Sequence, residues 1–580
     1  MQESVATTIS RKDKAAARAE RRRLAAMRGR RRLRMDDVTV VDESALKKAV
    51  WGSVVGNFME WYDVGVYGYL AVILGRVFLP DASGTIQNLF SLGVFAVTFV
   101  ARPLGGIILG QLGDRLGRKQ VLAFTLLMMA AATFLIGILP TYGMIGALAP
   151  ALLIVLKLAQ GFSTGGEYAG ATTFITEYAP DKRRGFYSSL LDLGSYLGFA
   201  AGAGFVGALQ VMTSEGFMYS WGWRIPFLVS LPLCMVALWF RTHIEDTPAF
   251  VEAQAAAQEE QDGNGATTPV TRLGDVEDAI IATENGPLGL GALVKTYWRE
   301  LGIVFVLVAA ANTIAYALTS YMPTYLTTTL GYDAVHGNLL TLPVLVVLAL
   351  LVPVSGWLGD RIGRRHVAVM AALAGVLTAV PAFLLMGHGQ VWSTVLGLLL
   401  LVVPVFLWVG NQSSSLPAMF PTHSRYGGMG ISYNLAVAAF GGTAGLIMEA
   451  LVASTGDRLA PAYWIIAVEL LGLLAATQLR ESARQPLLGS MPTVASEDEA
   501  QELVAQQEEN PDLDVEELFA TAPVSVIAQE PSAQEAAVEV SVAEQAEQDA
   551  REALRRAEAA TAEARRAEEL ARAREEAVQV

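Results

Sequence analysis

Long apolar blocks separated by short charged turns fill most of this 580-residue chain. They fall at about 50–77, 84–112, 119–139, 148–178, 186–211 and 222–241, and again at 299–329, 335–358, 367–387, 391–420, 427–453 and 460–479. Each is about 20 residues or longer, enough to cross the ~30 Å hydrocarbon core of a bilayer as a helix. A helix satisfies its backbone hydrogen bonds internally, as hydrocarbon demands. The pattern predicts an all-α membrane protein of twelve transmembrane helices, six in each half.

The halves repeat. The run Gly-Gln-Leu-Gly-Asp-Arg-Leu-Gly-Arg-Lys, with Gly110, Asp114, Arg115, Gly117 and Arg118, returns as Gly-Trp-Leu-Gly-Asp-Arg-Ile-Gly-Arg-Arg, with Gly356, Asp360, Arg361, Gly363 and Arg364. The shift is 360 − 114 = 246 residues, and each copy follows the second block of its half. A weaker echo follows each fourth block: Glu177–Pro180 with Arg183, Arg184 and Gly185, then Met419–Pro421 with Arg425, Tyr426 and Gly427. A duplicated six-helix unit places a substrate site between its halves, near the midplane. The expected divisions are a basic segment 1–49, a six-helix bundle 50–241, a central loop 242–298 with an acidic disordered middle, a second bundle 299–479, a polar disordered linker 480–540 and a C-terminal helix 541–580.

Composition agrees. Hydrophobic residues make up 53% and charged residues 17%, with a mean hydropathy of +0.40; a soluble protein carries nearer a quarter charged. The net charge of −14 is not one field, because the N-terminus is basic and the acid lies in 252–284 and 497–547. The single cysteine, Cys234, excludes an intramolecular disulfide. Loops rich in Lys and Arg favour the cytoplasm. Those at 114–119, 181–184 and 360–365, with the N-terminus, all fall on one side, so both termini are expected there. The Arg21–Arg23 and Arg30–Arg34 clusters suit anionic lipid beside the first helix rather than nucleic acid. Alanines at 543, 546, 550, 553, 557, 560, 564, 567 and 571 alternate steps of three and four. That is a heptad seam for a lone helix or a weak homodimeric coiled coil.

Several residues carry candidate chemistry. The repeated Asp-Arg-x-Gly-Arg loops, at helix ends, suit a charged gate that forms in one state and breaks in another. Glu60, Asp63 and Glu167 lie deep in their blocks, where a carboxylate must be paired, hydrated or protonated. Glu60 and Asp63 share a helix face, and the pair suits proton coupling; Arg102 and Lys157 are candidate counter-charges. Trp61, Tyr62, Tyr67, Phe162, Tyr316, Trp408 and Tyr433 are candidate walls for a quaternary ammonium group. Asn312, Asn411, Gln412 and Asn434 could hydrogen-bond a substrate or join helices. The five histidines lack metal-ligand spacing, and no phosphate-cradling Gly-rich loop precedes a Lys-Ser/Thr pair. No metal, cofactor or enzyme activity is expected.

The duplicated loop motif in a six-plus-six chain resembles the major facilitator superfamily over nearly all of 50–480. The runs Gly56–Gly68, Arg102–Gly106, Gln160–Tyr168 and Trp223–Phe227 narrow the resemblance to the metabolite:proton symporter family. That family includes carriers of proline and glycine betaine, shikimate, 2-oxoglutarate and citrate. Its osmosensory proline/glycine betaine symporter has a C-terminal coiled coil, and the tail here is similar in kind. The resemblance implies a proton-coupled carrier in the cell membrane. Three readings stay open: an osmolyte symporter for proline or glycine betaine, an organic-acid symporter, and a non-transporting osmosensor.

Overall fold

The computed structural model describes residues 33–116, 118–242, 290–507, 510 and 513. All belong to the first of two compact units, 1–522; the second, 523–580, lies outside the described residues. So do the middle of the central loop, the basic clusters up to residue 32 and the alanine seam.

Twelve helical rods form among the described residues. The first half contains Glu43–Phe78, Gly84–Leu116, Arg118–Ile138, Leu148–Tyr178, Arg184–Met212 and Ile225–Thr242. The second contains Trp298–Thr329, Ala334–Ile362, Arg364–Gly387, Val391–Ser415, Ser424–Thr455 and Ala460–Ala476. They are called here the first to twelfth helices. The first begins where the Asp42 side chain accepts the Ser44 N–H. Its 36 residues reach about 54 Å at 1.5 Å each, well beyond a bilayer core.

Glycines bring backbones together. On the fifth helix, Cβ atoms at Gly194, Gly198 and Gly202 would sit 2.6, 2.4 and 3.0 Å from carbonyl oxygens of Val54, Phe58 and Tyr62 on the first. On the fourth, a Cβ at Gly161 would meet the Thr98 carbonyl at 1.7 Å, and one at Gly105 of the second would meet that of Phe162 at 1.9 Å. Apolar side chains gain nothing by leaving lipid for one another, so close backbone approach is what joins these rods. The seventh and eleventh helices each contain π turns, at Ala317–Tyr321, Tyr325–Thr329 and Val437–Gly441. Such turns often mark functional positions.

The halves meet on both sides of the midplane. At the end with the basic loops, Asp360 accepts the N–H groups of Gly185 and Phe186, at 2.8 and 2.9 Å, at the start of the fifth helix. Nearby Arg425 pairs with Glu177 at 2.5 Å. At the other end, the hydroxyls of Tyr69 and Thr341 hydrogen-bond at 2.7 Å.

Residues 480–507 correct the expectation of a disordered linker. Glu481 accepts the N–H groups of Arg364 and Arg365 at the start of the ninth helix. The buried guanidiniums of Arg184 and Arg425 donate to the carbonyls of Gln485 and Leu488, at 2.8 and 2.9 Å. Strand β1 (Thr39–Val40) pairs in parallel with β2 (Thr493–Val494). A short helix, Glu497–Ala505, follows, capped by Ser496. Leu33, Val38, Val494 and Ala500 close a small core, with Lys182 paired to Glu499 at 2.9 Å. This strap, residues 480–507, is polar on average, but its backbone satisfies buried arginines and its few apolar residues meet the N-terminal strand. Residues beyond 513, including the rest of the expected linker, lie outside the described residues.

An aromatic cavity between the halves

A small cavity lies between the first and fifth helices of one half and the seventh, tenth and eleventh of the other. Trp61, Tyr196, Phe199, Tyr316 and Tyr433 supply its rings, and Asn312, Gln412, Ser195 and Thr319 its uncharged polar groups. Asp192 is the one charged side chain among its lining residues. The rings touch in sequence: Tyr196 with Phe199 at 6.3 Å, Phe199 with Trp61 at 5.2 Å, and Trp61 with Tyr316 at 6.0 Å between centroids. Tyr168 stacks on Tyr433 at 4.4 Å across the two halves.

The first helix aims its polar residues at several neighbours. Asn57 donates to the Leu191 carbonyl and Ser195 hydroxyl of the fifth helix and accepts the Trp61 indole N–H. Glu60 pairs with Arg102 at 2.8 Å, with both side chains fully buried. That guanidinium lies 4.6 Å from the Phe99 ring centre and 5.7 Å from that of Trp61. Asp63 instead accepts the Thr133 hydroxyl at 2.7 Å. The Gln160 amide donates to Thr133 at 2.8 Å and accepts the Lys157 ammonium at 2.7 Å. The same ammonium sits 4.0 Å over the Tyr67 ring. The structure thus separates two acids expected to act as one pair. Three residues apart on a helix is 300°, so they lie on one broad face but lean toward different neighbours. Each counter-charge serves one acid, directly for Arg102 and through two side chains for Lys157.

Among the candidate substrate residues, Trp61, Tyr316, Tyr433, Asn312 and Gln412 line the cavity. Arg102 and Lys157 stand behind its wall, and other candidates have partners elsewhere. Tyr62 and Tyr67 donate to the carbonyls of Pro226 and Ser91. Trp408 donates to Glu469 at 3.0 Å. Asn411 donates to the Arg364 carbonyl near the gate, and Asn434 to the Gly165 carbonyl, bridging the halves. Phe162 marks the crossing of the second and fourth helices. Glu167 is buried where the fourth helix restarts after a break at Gly165 and Gly166.

In the second copy of the repeated loop motif, Gly356 packs on the Gly185 carbonyl, where a Cβ would come within 2.4 Å. Gly363 adopts φ +100°, open to glycine, which turns the chain into the ninth helix. Arg364 is buried and donates to Asp360 at 3.4 Å and to Ser482 at 3.0 Å. Arg361 is exposed and covers the Trp357 ring rather than joining the contact between halves. Of the first copy, Gly117 and the side chains of Asp114, Arg115 and Arg118 lie outside the described residues, and Gly110 lies within the second helix.

Asp192, Tyr168, Thr133 and Gln160 escaped the sequence reading. A lone Asp between Leu191 and Leu193 has the same local signal as any helix-capping or packing acid. What singles it out is which helix faces the opposite half.

The family model described as sugar (and other) transporter matches residues 49–482. The chain belongs to this family. An ectoine/proline transporter of Corynebacterium glutamicum is 46% identical over 83% of this chain and 94% of its own length. A proline/betaine transporter of Escherichia coli is 39% identical over 82% and 91%. Among solved structures, a major facilitator proton:xylose symporter bound to 6-bromo-6-deoxy-D-glucose matches 77% of this chain and 98% of its own, with TM-score 0.59 and 16% identity. The fold is therefore that of the major facilitator superfamily. As a member of the transporter family, the protein is a multi-pass membrane protein.

Proposed function

We propose that this transporter imports a zwitterionic osmolyte of the proline and glycine betaine class with a proton, by alternating access between its halves. The observation that carries the choice of cargo is the cavity wall: aromatic rings and one carboxylate, with both candidate cations held behind it. Rings attract quaternary and secondary ammonium groups through their π faces. An organic acid needs a cation within reach of its carboxylates, and Arg102 is already paired with Glu60. The relatives named for proline, betaine and ectoine agree with the first reading.

Asp63 is the proposed proton acceptor. It is fully inside the bundle, and Thr133 and Gln160 orient it toward the Lys157 charge. An amide does not pass protons readily, so this chain transmits position and field. Glu60, paired with Arg102, is proposed to balance charge beside it, and Glu167 to respond at the break of the fourth helix. Asp360, near the end of the eighth helix and bound to the start of the fifth, acts as the gate of the basic-loop end, which is the cytoplasmic end by its arginines and lysines. The proposed location is the cell membrane, with both termini in the cytoplasm.

Liposomes holding the purified protein test this reading. Labelled glycine betaine or proline should accumulate when an inward proton gradient is imposed and stop when it is collapsed. Gradient-driven flux of shikimate, 2-oxoglutarate or citrate, with no osmolyte flux, would overturn it.

A further inference from the structure

Resting on the osmolyte reading above, we infer that Asp192 is the anchor for the positively charged end of the substrate, and that through it the substrate acts on the contact between halves. Asp192 is 3% exposed, yet it lines the cavity. Both its oxygens face the Tyr168 hydroxyl, at 3.1 and 3.4 Å. Among the described residues no Lys or Arg forms an ion pair with it, in contrast to Glu60. A carboxylate inside a membrane protein and away from fixed cations is costly and marks a substrate or ion path. Here the missing partner is mobile.

The surroundings specify its chemistry. Rings of Tyr196, Phe199, Trp61 and Tyr433 border the same space, which suits a trimethylammonium or pyrrolidinium group. Among the described residues Gln412 Oε1 has no hydrogen-bond partner and can accept an N–H from a secondary ammonium. The Tyr316 hydroxyl also has none and can donate to the substrate carboxylate. Tyr316 packs on Phe99 at 5.3 Å, the ring that faces the paired Arg102. The cavity therefore presents both a carboxylate and an unsatisfied donor, the two kinds of group a short zwitterion engages.

Two contacts connect this anchor to the halves. Tyr168, the present partner of Asp192, stacks on Tyr433 of the other half. Six residues before Asp192 (192 − 186 = 6), roughly 9 Å along the same helix, Phe186 donates its N–H to Asp360. A cation that engages Asp192 competes with the Tyr168 hydroxyl and bears on the rod that carries the gate.

The test compares glycine betaine with 3,3-dimethylbutanoate, in which carbon replaces the charged nitrogen at nearly the same shape. Each competes against labelled glycine betaine in counterflow at equal pH on both sides, so no proton gradient is needed. The wild-type protein should prefer betaine by roughly 30-fold or more, the effect of losing one partner of a buried charge pair. Asp192→Asn should lower that preference at least about tenfold by the same reasoning, and Asp192→Glu should restore part of it. An unchanged preference in Asp192→Asn would overturn the inference, as would a wild-type protein that binds the two equally, even if no variant folds. Loss of pH dependence at unchanged preference would place Asp192 on the proton route and also overturn it. Failure of wild-type protein to exchange betaine or proline at all would instead sink the osmolyte reading.

Discussion

Replacing Asp360 by asparagine should loosen the closed end of the protein. The carboxylate holds the Gly185 and Phe186 N–H groups at 2.8 and 2.9 Å and lies 3.4 Å from the Arg364 guanidinium. Both N–H donors open a helix of the opposite half, so their dipoles add to the attraction. Asparagine keeps one acceptor, turns an amide toward the other N–H and removes the charge. A hydrogen bond to a charged group contributes roughly 1.5–3 kcal/mol, and an anion at a helix N-terminus roughly 0.3–1 kcal/mol. The closed state should thus lose about 2–4 kcal/mol, which shifts the open-to-closed ratio about 30- to 1000-fold. The assay uses Cys234→Ser with a reporter cysteine at Ser195, which lines the cavity. In inside-out vesicles a membrane-impermeant maleimide should label the reporter at least ~10-fold faster when Asp360→Asn is added, and little faster with Asp360→Glu. Equal labelling rates in correctly folded proteins would refute the gate.

Three further outcomes follow from the same geometry. Gly161→Ala places a methyl 1.7 Å from the Thr98 carbonyl, so the apparent Tm in detergent should drop by several degrees for an overpacking cost of ~1–3 kcal/mol or more. Gly430→Ala, with open space around it, should leave the Tm unchanged. Thr133→Val removes the link between Asp63 and Gln160; gradient-driven accumulation should fall at least about tenfold while counterflow persists, and an equal fall in both would remove Thr133 from coupling. Burial raises the Glu499 carboxyl, but the Ala495 N–H, Lys182 and Arg183 outweigh it and hold it below its usual 4.5. A lowered value means that its contribution to the strap is complete above about 4.5 and is lost as pH falls through the lowered value. Lys182 is half-exposed, so this contribution is only ~0.2–1 kcal/mol. A spin label at Gln501→Cys should keep its mobility from about pH 7 to 5 and gain mobility only under stronger acid, whereas a gain already near neutrality would contradict the assignment.

Much of the scaffold was readable because membrane helices announce themselves by length and hydropathy, and because duplication repeats its gate motif. The turn at Gly363 was legible in kind, whereas the close approach of Gly356 to Gly185 was not. The strap was missed because Arg184 and Arg425 bind its carbonyls, and backbone oxygens leave no trace in residue type. The pairing of Glu60 with Arg102 and the tie from Asp63 to Lys157 were half legible. Residue types and depth suggested acids with counter-charges, whereas helix rotation chose which acid met which cation.

By itself the sequence determined a six-plus-six helical membrane protein with buried acids in its first helix, since those features depend on local hydropathy, spacing and repetition. Tertiary structure alone decided that Arg102 and Lys157 stand outside the cavity and that Asp192 faces into it. A rotation of roughly a quarter to half a turn about a helix axis moves a side chain from wall to lumen without changing any local pattern, and only the packing of all the helices sets that rotation.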